Sequence, residues 1–297
     1  MKILITGGRG FIGKNIISKL KKKHILFSPS HNELDIKDEL LLRKYLKLKK
    51  IDAIIHSAIV NGSEGFEDNL RMFESIFRNS DVVKKIIHFG SGAEYAKNRN
   101  LVKVKETDWG KYVPQDSYGF AKFLIQEKGS KVKNITNLRL FGIYGPGEDY
   151  LKKFISNSVA KNIFNLPISI KQDVVFDYLF IDDLIKVLDF FLKANVTYSD
   201  YNVTPDTSIS LVEIVKIINK ISRKNSEITV VNKGLNYQYT GDNSRLRNEM
   251  PLLKFYSYEE GILKLYQHLK NNKSIISKQF LIKDDYFAIS RIRKVEK

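Results

Sequence analysis

The first thirteen residues run from a short apolar segment, Lys2-Ile-Leu-Ile-Thr6, into Gly7, Gly10 and Gly13 at three-residue spacing. An amphipathic stretch follows at once, with Ile12, Ile16, Ile17 and Leu20 on one face. A strand that breaks into glycines and then into a helix has few uses. Gly7 permits a tight turn off the strand, Gly10 lets the backbone approach a pyrophosphate, and Gly13 lets the helix pack close to the sheet. Free N–H groups and the positive end of the helix dipole then face the phosphates. Gly7, Arg9, Gly10, Phe11, Ile12 and Gly13 therefore form a candidate dinucleotide loop.

The chain beyond this loop alternates strands and helices without a long structureless gap. Ile25-Leu-Phe27 reads as a second strand, with Ser28-Pro-Ser-His-Asn32 as the loop after it. In a unit of this kind that loop meets the adenosine ribose. An acid there favours NAD, and its absence with cations nearby favours the 2′-phosphate of NADP. The strand end carries Ser30 and His31, within reach of Arg9, so NADP(H) is favoured and NAD(H) remains possible. Ile36 to Leu48 and Phe66 to Asn79 read as helices. Ile51 to Ala58 and Lys85 to Gly90 read as strands, ending at Ser57, Ala58 and Ser91. A further helix opens at Tyr118, and a strand covers Thr136 to Phe141. The pattern predicts an α/β fold: a Rossmann-type doubly wound parallel sheet with helices on both faces.

After Gly142-Ile-Tyr-Gly-Pro-Gly147 the elements shorten. Helices are expected over 150–162, 182–193, 211–222 and 258–271, and strands near 168–170, 177–180 and 228–231. This divides the chain into a dinucleotide-binding domain (1–165, with parts of 175–205 returning to it), a smaller α/β substrate-binding lobe (166–271) and a basic C-terminal tail (272–297). The tail has no catalytic pattern and is open to docking on the body, assembly or fraying.

Composition removes other classes. There is no cysteine, so there are no disulfides, thiolate metal sites or cysteine nucleophiles, and the five histidines show no close metal-ligand spacing. No metal is expected. No apolar run approaches the roughly 18 residues of a membrane helix, and the opening strand leaves no room for a signal peptide. A cytoplasmic location without membrane insertion is therefore expected. The net charge of +17 comes mostly from scattered lysines. The dense runs, 19–23 and 47–50, fall at helix ends, where cations complement the dipole without a partner. Nucleic-acid binding is not expected.

Tyr118 and Lys122 lie one helical turn apart, on one face. An ammonium so close favours the phenolate, which predicts a lowered phenol pKa and proton exchange near neutrality. With the serine at the preceding strand end, Ser91, this spacing carries a resemblance. The chain resembles the extended short-chain dehydrogenase/reductase family in its nucleotide-sugar epimerase/dehydratase/reductase branch. The motifs are Thr6-Gly-Gly-Arg-Gly-Phe-Ile-Gly13, Gly90-Ser-Gly-Ala-Glu-Tyr95, Tyr118-Gly-Phe-Ala-Lys122, Leu138-Arg-Leu-Phe-Gly-Ile-Tyr-Gly-Pro-Gly147 and Phe176-Asp-Tyr-Leu-Phe-Ile-Asp-Asp183. Tyr201-Asn-Val203 and Gly241-Asp-Asn-Ser-Arg-Leu246 extend it to about Asn271.

The resemblance implies that Ser91 hydrogen-bonds the reacting sugar oxygen, Tyr118 is the general acid/base, and Lys122 holds the nicotinamide ribose and tunes the tyrosine. It implies a nucleotide-diphosphate sugar as substrate, and a homodimer is the expected assembly. Arg245 and Arg247 are candidates for the substrate diphosphate, while Arg139, inside a strand, reads as structural. Dehydratases of this branch carry Asp-Glu directly after the catalytic residue; here Gly92 and Ala93 stand there, with Glu94 one place late and turned the wrong way. Fucose-synthase-like epimerase-reductases carry a cysteine two residues after the serine and a later histidine. Here that position is Ala93, and no histidine lies between His88 and His268. What remains is hydride transfer at C4. Reduction of a 4-keto group is favoured over 4-epimerisation with tightly bound NAD, because the loop 27–35 resembles that of 4-keto-sugar reductases. A dinucleotide-binding sensor or scaffold without turnover is the reading of another class.

Overall fold

The computed structural model describes residues 1–60, 62, 65–290 and 292. In chain order its first elements are β1 (Lys2–Thr6), α1 (Phe11–Leu20), β2 (Ile25–Phe27), α2 (Glu39–Lys49), β3 (Ala53–His56), α3 (Gly65–Arg78), β4 (Lys85–Ser91), β5 (Leu101–Val104), α4 (Ser117–Gly129) and β6 (Ile135–Leu140). A six-stranded sheet, parallel throughout, runs in the order β2, β1, β3, β4, β6 and a last edge strand, Asp200–Val203. Successive residues of each strand serve opposite faces. Ile3 and Ile5 join one core with Ile16, Leu20 and Leu184, and Leu4 joins another with Leu42, Phe73 and Ile125. Helices therefore cover both faces, as the sequence pattern requires.

The chain leaves β1 for β2 on one side and then crosses back to β3 on the other. That reversal opens a crevice beyond the carboxyl ends of β1 and β3. Side-chain caps set several helix starts. Asp38 accepts the Leu41 N–H, so α2 begins at Glu39 rather than at Ile36. Asp116 caps α4 through the Gly119 N–H and fixes the turn that carries Tyr118. Ser210 and Ser257 form capping boxes with Glu213 and Glu260.

The second half holds a smaller sheet in the order Ile209–Ser210, Val175–Phe176, Tyr239–Gly241 and β5. Sequence analysis did not anticipate β5, a four-residue strand whose middle residues, Val102 and Lys103, are exposed. It leaves the first half to pair with Tyr239–Gly241 and ties the two halves together. Ile168–Asp173 pairs in parallel with Ile228–Leu235 nearby. Residues 272–290 fold against the body, with short helices at Lys278–Lys283 and Asp285–Ile289. Among the described residues no helix is long and apolar enough to cross a membrane, and no cluster of histidines and acids could hold a metal.

Candidate active site

The glycine loop leaves β1 with Gly7 at φ +70°, where a side chain would be strained and would also strike the backbone of Ser57 and Ala58 within 2.7 Å. Gly13 packs on the turn itself: a Cβ there would lie 2.3 Å from the Gly7 carbonyl oxygen. Its close approach is thus to the turn leaving the strand, where the sequence suggested the sheet. A Cβ on Gly10 would meet only the Gly7 oxygen, at 3.3 Å. Gly10 begins α1 with no side-chain cap, and the first turn carries no carboxylate. The leading N–H groups of α1 are thereby left facing the crevice, an arrangement that fits a dinucleotide pyrophosphate. Across the crevice the Ser57 hydroxyl donates to the Thr6 carbonyl (2.6 Å), and the Ala58 N–H donates to the Thr6 hydroxyl (3.2 Å). The glycine turn and the end of β3 are held as one unit.

The loop after β2 differs from its sequence reading. Ser30 is turned to Glu33, to which its N–H and its hydroxyl both donate at 2.7 Å. These bonds hold the Glu33 carboxyl below its usual value, with a smaller contribution from the Arg9 charge. An acid therefore does stand near Arg9, supplied from the following turn rather than from the strand end. The His31 side chain is 70% exposed and 3.7 Å from Asp35.

Ser91 ends β4 and Tyr118 opens α4, and both line one cavity of about 840 Å³ together with Ile12 from α1. The Ser91 hydroxyl accepts from the Ala93 N–H (3.2 Å), and its own N–H donates to Glu94 (2.9 Å). It lies 3.5 Å from the hydroxyl of Tyr239 and faces the same cavity as the phenol of Tyr118. Tyr239 comes from the second half and escaped sequence analysis. Its only sequence trace is the tyrosine three residues before Asp242 in the Gly241-Asp-Asn-Ser-Arg-Leu246 region. It packs against Phe141 and Phe176 at ring-centre distances of 5.0 and 5.3 Å. A Cβ on Gly92 would lie 2.7 Å from both the Phe141 ring and the Tyr239 hydroxyl. A side chain at position 92 would require the Phe141 ring or the Tyr239 hydroxyl to shift.

Lys122 is 7% exposed, does not line the cavity, and donates to the Phe89 carbonyl at 2.7 Å. Burial brings its pKa down to about 8, against the pull of Glu94. The expected effect on Tyr118 is not found. Although Tyr118 is 36% exposed, the protein around its phenol partly desolvates it and raises its pKa, the Ser91 hydroxyl offsets part of the rise, and the ammonium behind it faces the Phe89 carbonyl instead. Tyr118 is thus protonated at neutral pH, as a proton donor must be.

Glu94 is fully buried and turned away from the cavity, 2.5 Å from Nε of Arg139. Arg139 also pairs with Asp200 and donates to the Tyr95 hydroxyl (3.3 Å). The two arginines proposed for a diphosphate lie elsewhere. Arg245 pairs with Asp200 at 2.6 Å and stacks on Tyr198. Arg247 is paired with Asp206 and stacked on Phe255. Neither lines the cavity, because carboxylates of the second half have taken both guanidinium groups. The charged residues that do line it are Lys97, Lys153 and Lys171.

A model of the NAD dependent epimerase/dehydratase family matches residues 3–204. ADP-L-glycero-D-manno-heptose-6-epimerase of Brachyspira hyodysenteriae is 24% identical over 270 residues, covering 75% of this chain and 82% of that protein. GDP-6-deoxy-D-talose 4-dehydrogenase of Aggregatibacter actinomycetemcomitans is 24% identical over 280 residues, covering 84% of this chain and 90% of that protein. Among solved structures, GDP-mannoheptose C4 reductase from Campylobacter jejuni with NADP bound superposes with a TM-score of 0.78 at 19% identity, over 91% of this chain and 98% of that one.

Proposed function

The chain belongs to the NAD-dependent epimerase/dehydratase family, and from that premise we propose that it reduces the 4-keto group of a nucleotide-linked sugar, with NADP(H) favoured as the reductant. One observation carries the proposal: Ser91 and Tyr118 face a single cavity in which the two positions after Ser91 carry no acid/base side chain. Gly92 abuts Phe141 and Tyr239, and position 93 is a buried alanine. Tyr118 is then the proton donor assigned to the reacting oxygen, with the Tyr239 phenol on the other side of Ser91, and this set suits a reduction. The likeness to a 4-dehydrogenase of a GDP-6-deoxy sugar supports C4 as the reacting carbon and a 6-deoxy sugar as the substrate.

When bound, the reduced nicotinamide supplies the hydride. The chain supplies the rest. Gly7, Gly10, Phe11, Ile12 and Gly13 hold the dinucleotide along the crevice, with Ser57 and Ala58 opposite. Ser91 donates a hydrogen bond to the ketone oxygen, and Tyr118 passes its phenolic proton to that oxygen as it becomes a hydroxyl. Lys122, one turn on from Tyr118, would hold the nicotinamide ribose and, as an ammonium, stabilise the phenolate left on Tyr118 until solvent reprotonates it. Arg9 meets the 2′-phosphate after exchanging its attraction for Glu33.

NADPH oxidation on supplying nucleotide-linked 4-keto-6-deoxy sugars tests the reading. Tyr118→Phe is expected to lower kcat by about 10²- to 10⁴-fold with cofactor affinity unchanged. Stoichiometric NAD released on denaturation, with interconversion of sugar epimers and no added cofactor, would establish the 4-epimerase instead. Arg9→Ala is expected to weaken NADPH more than NADH; equal losses would remove Arg9 from the 2′-phosphate.

A further inference from the structure

Residues 272–290 are anchored to the body of the protein. Ile276 and Leu281 are buried, the Ser277 N–H donates to the Tyr150 hydroxyl (3.1 Å), Asp284 pairs with Lys161, and the Tyr286 ring lies 5.4 Å from that of Phe154. These anchors bring Tyr286, Ile289 and Ser290 onto the wall of the cavity that holds Ser91 and Tyr118. Lys171 fastens the segment from the neighbouring strand: its ammonium donates to the carbonyls of Ser290 (2.7 Å) and Ala288 (3.3 Å) and lies 5.2 Å from the Phe287 ring. Lys171 lines the same cavity, as does Lys153 at the start of the helix Phe154–Ile163.

We infer that the C-terminal segment 284–290 is part of the substrate site, where Lys171 binds the diphosphate and Tyr286 packs against the base of a nucleoside-diphosphate group. An ammonium has three N–H donors. Two are set by the tail carbonyls, which aims the third at a phosphate oxygen without a search through rotamers. The described lining residues include lysines and no carboxylate, so the cavity suits a polyanion. A half-buried phenol ring offers a flat apolar face on which a base can stack. The tail thus supplies the anion site that Arg245 and Arg247, taken by Asp200 and Asp206, do not.

The inference rests on the nucleotide-sugar reading, and its test separates the two. ADP, GDP, UDP and dTDP are titrated calorimetrically into the full chain and its variants. At least one is expected to bind. Lys171→Met and Tyr286→Leu should each weaken that binding about tenfold, the effect of one lost charge-assisted hydrogen bond or stacking contact. Lys171→Arg should keep most of it, and NADPH affinity should be the same in all four proteins. A nucleoside diphosphate that binds the variants as tightly as the parent overturns the inference and leaves the reductase reading standing. Loss of NADPH affinity in step with the diphosphate also overturns it, since the tail would then support the fold alone. Failure of the parent to bind any of the four removes the nucleotide-sugar reading, and this inference with it.

Discussion

Around β3 and β4, Lys122, His56 and His88 are buried with little to answer their polarity, whereas Arg139 on adjacent β6 is buried among Glu94, Asp200 and Tyr95. In the first group the imidazoles of His56 and His88 stack at 5.4 Å. The His56 Nδ1 meets the Thr6 hydroxyl at 2.8 Å, while neither ring nitrogen of His88 has a hydrogen-bond partner among the described residues. Burial first, and the Lys122 charge second, bring His56 down to about 3 and His88 well below its usual value. Both are neutral. In the second group burial opposes the Arg139 charge, but Glu94, Tyr95 and Asp200 outweigh it and push its pKa up. The difference teaches what each charge is for. Arg139 joins β6, the turn after β4 and the edge strand Asp200–Val203, and a buried charge with that task must be paired. Lys122 has no carboxylate paired with it: the Phe89 carbonyl and the charge of Glu94 offset its burial only in part, a cost in stability that suits a functional lysine.

Breaking the paired group should do the most damage. Arg139→Met leaves Glu94 buried without its cation and Asp200 with Arg245 alone, and is expected to cost about 3–5 kcal/mol of stability, measured by urea denaturation. A loss below about 1 kcal/mol would mean that the two groups do not differ in kind.

Lys122→Met should act in the opposite sense. The folded pKa of about 8 lies below the ordinary 10.5, so the unfolded chain binds the extra proton between those values. The burial penalty is present in full below about pH 8 and fades as pH rises to 10.5. Removing the ammonium should therefore stabilise the cofactor-free protein by up to about 3 kcal/mol at pH 7 and by little at pH 10.5, while turnover collapses. Thermal unfolding of parent and variant at the two pH values gives the answer, and a destabilised variant at pH 7 would break the comparison.

The smallest effect sharpens the boundary between the groups. Tyr239 stands at the meeting point, reaching Ser91 from the second half. Tyr239→Phe keeps the ring packing and should lower kcat about five- to tenfold with KM nearly unchanged, the worth of one neutral hydrogen bond. In Ser91→Ala the same substitution should have no further effect if Tyr239 acts through the Ser91 hydroxyl.

Much of the fold was legible because its signals are local. The glycine turn, the continuous apolar strands and the Tyr118–Lys122 spacing all follow from periodicity and backbone conformation. What was not legible depends on partners distant in sequence. Tyr239 lies 148 residues from Ser91, and β5, exposed in its middle, is a strand only because Tyr239–Gly241 pairs with it. Arg245 and Arg247 read as free cations until Asp200 and Asp206 are brought beside them. The direction of the Tyr118 pKa failed for a related reason: spacing puts Lys122 on the right face, but only the fold shows its ammonium turned to Phe89.

The strand β5 also governs how the protein comes into being. Residues 101–104 are made early yet find their neighbour only when residues 239–241 exist, and the central sheet waits for residues 200–203 to complete its edge. On the ribosome, neither sheet can close until most of the chain has emerged, so the cofactor half cannot mature ahead of the rest as an independent unit. The same interleaving means that a single cut between residues 104 and 239 would part strands that pair with each other.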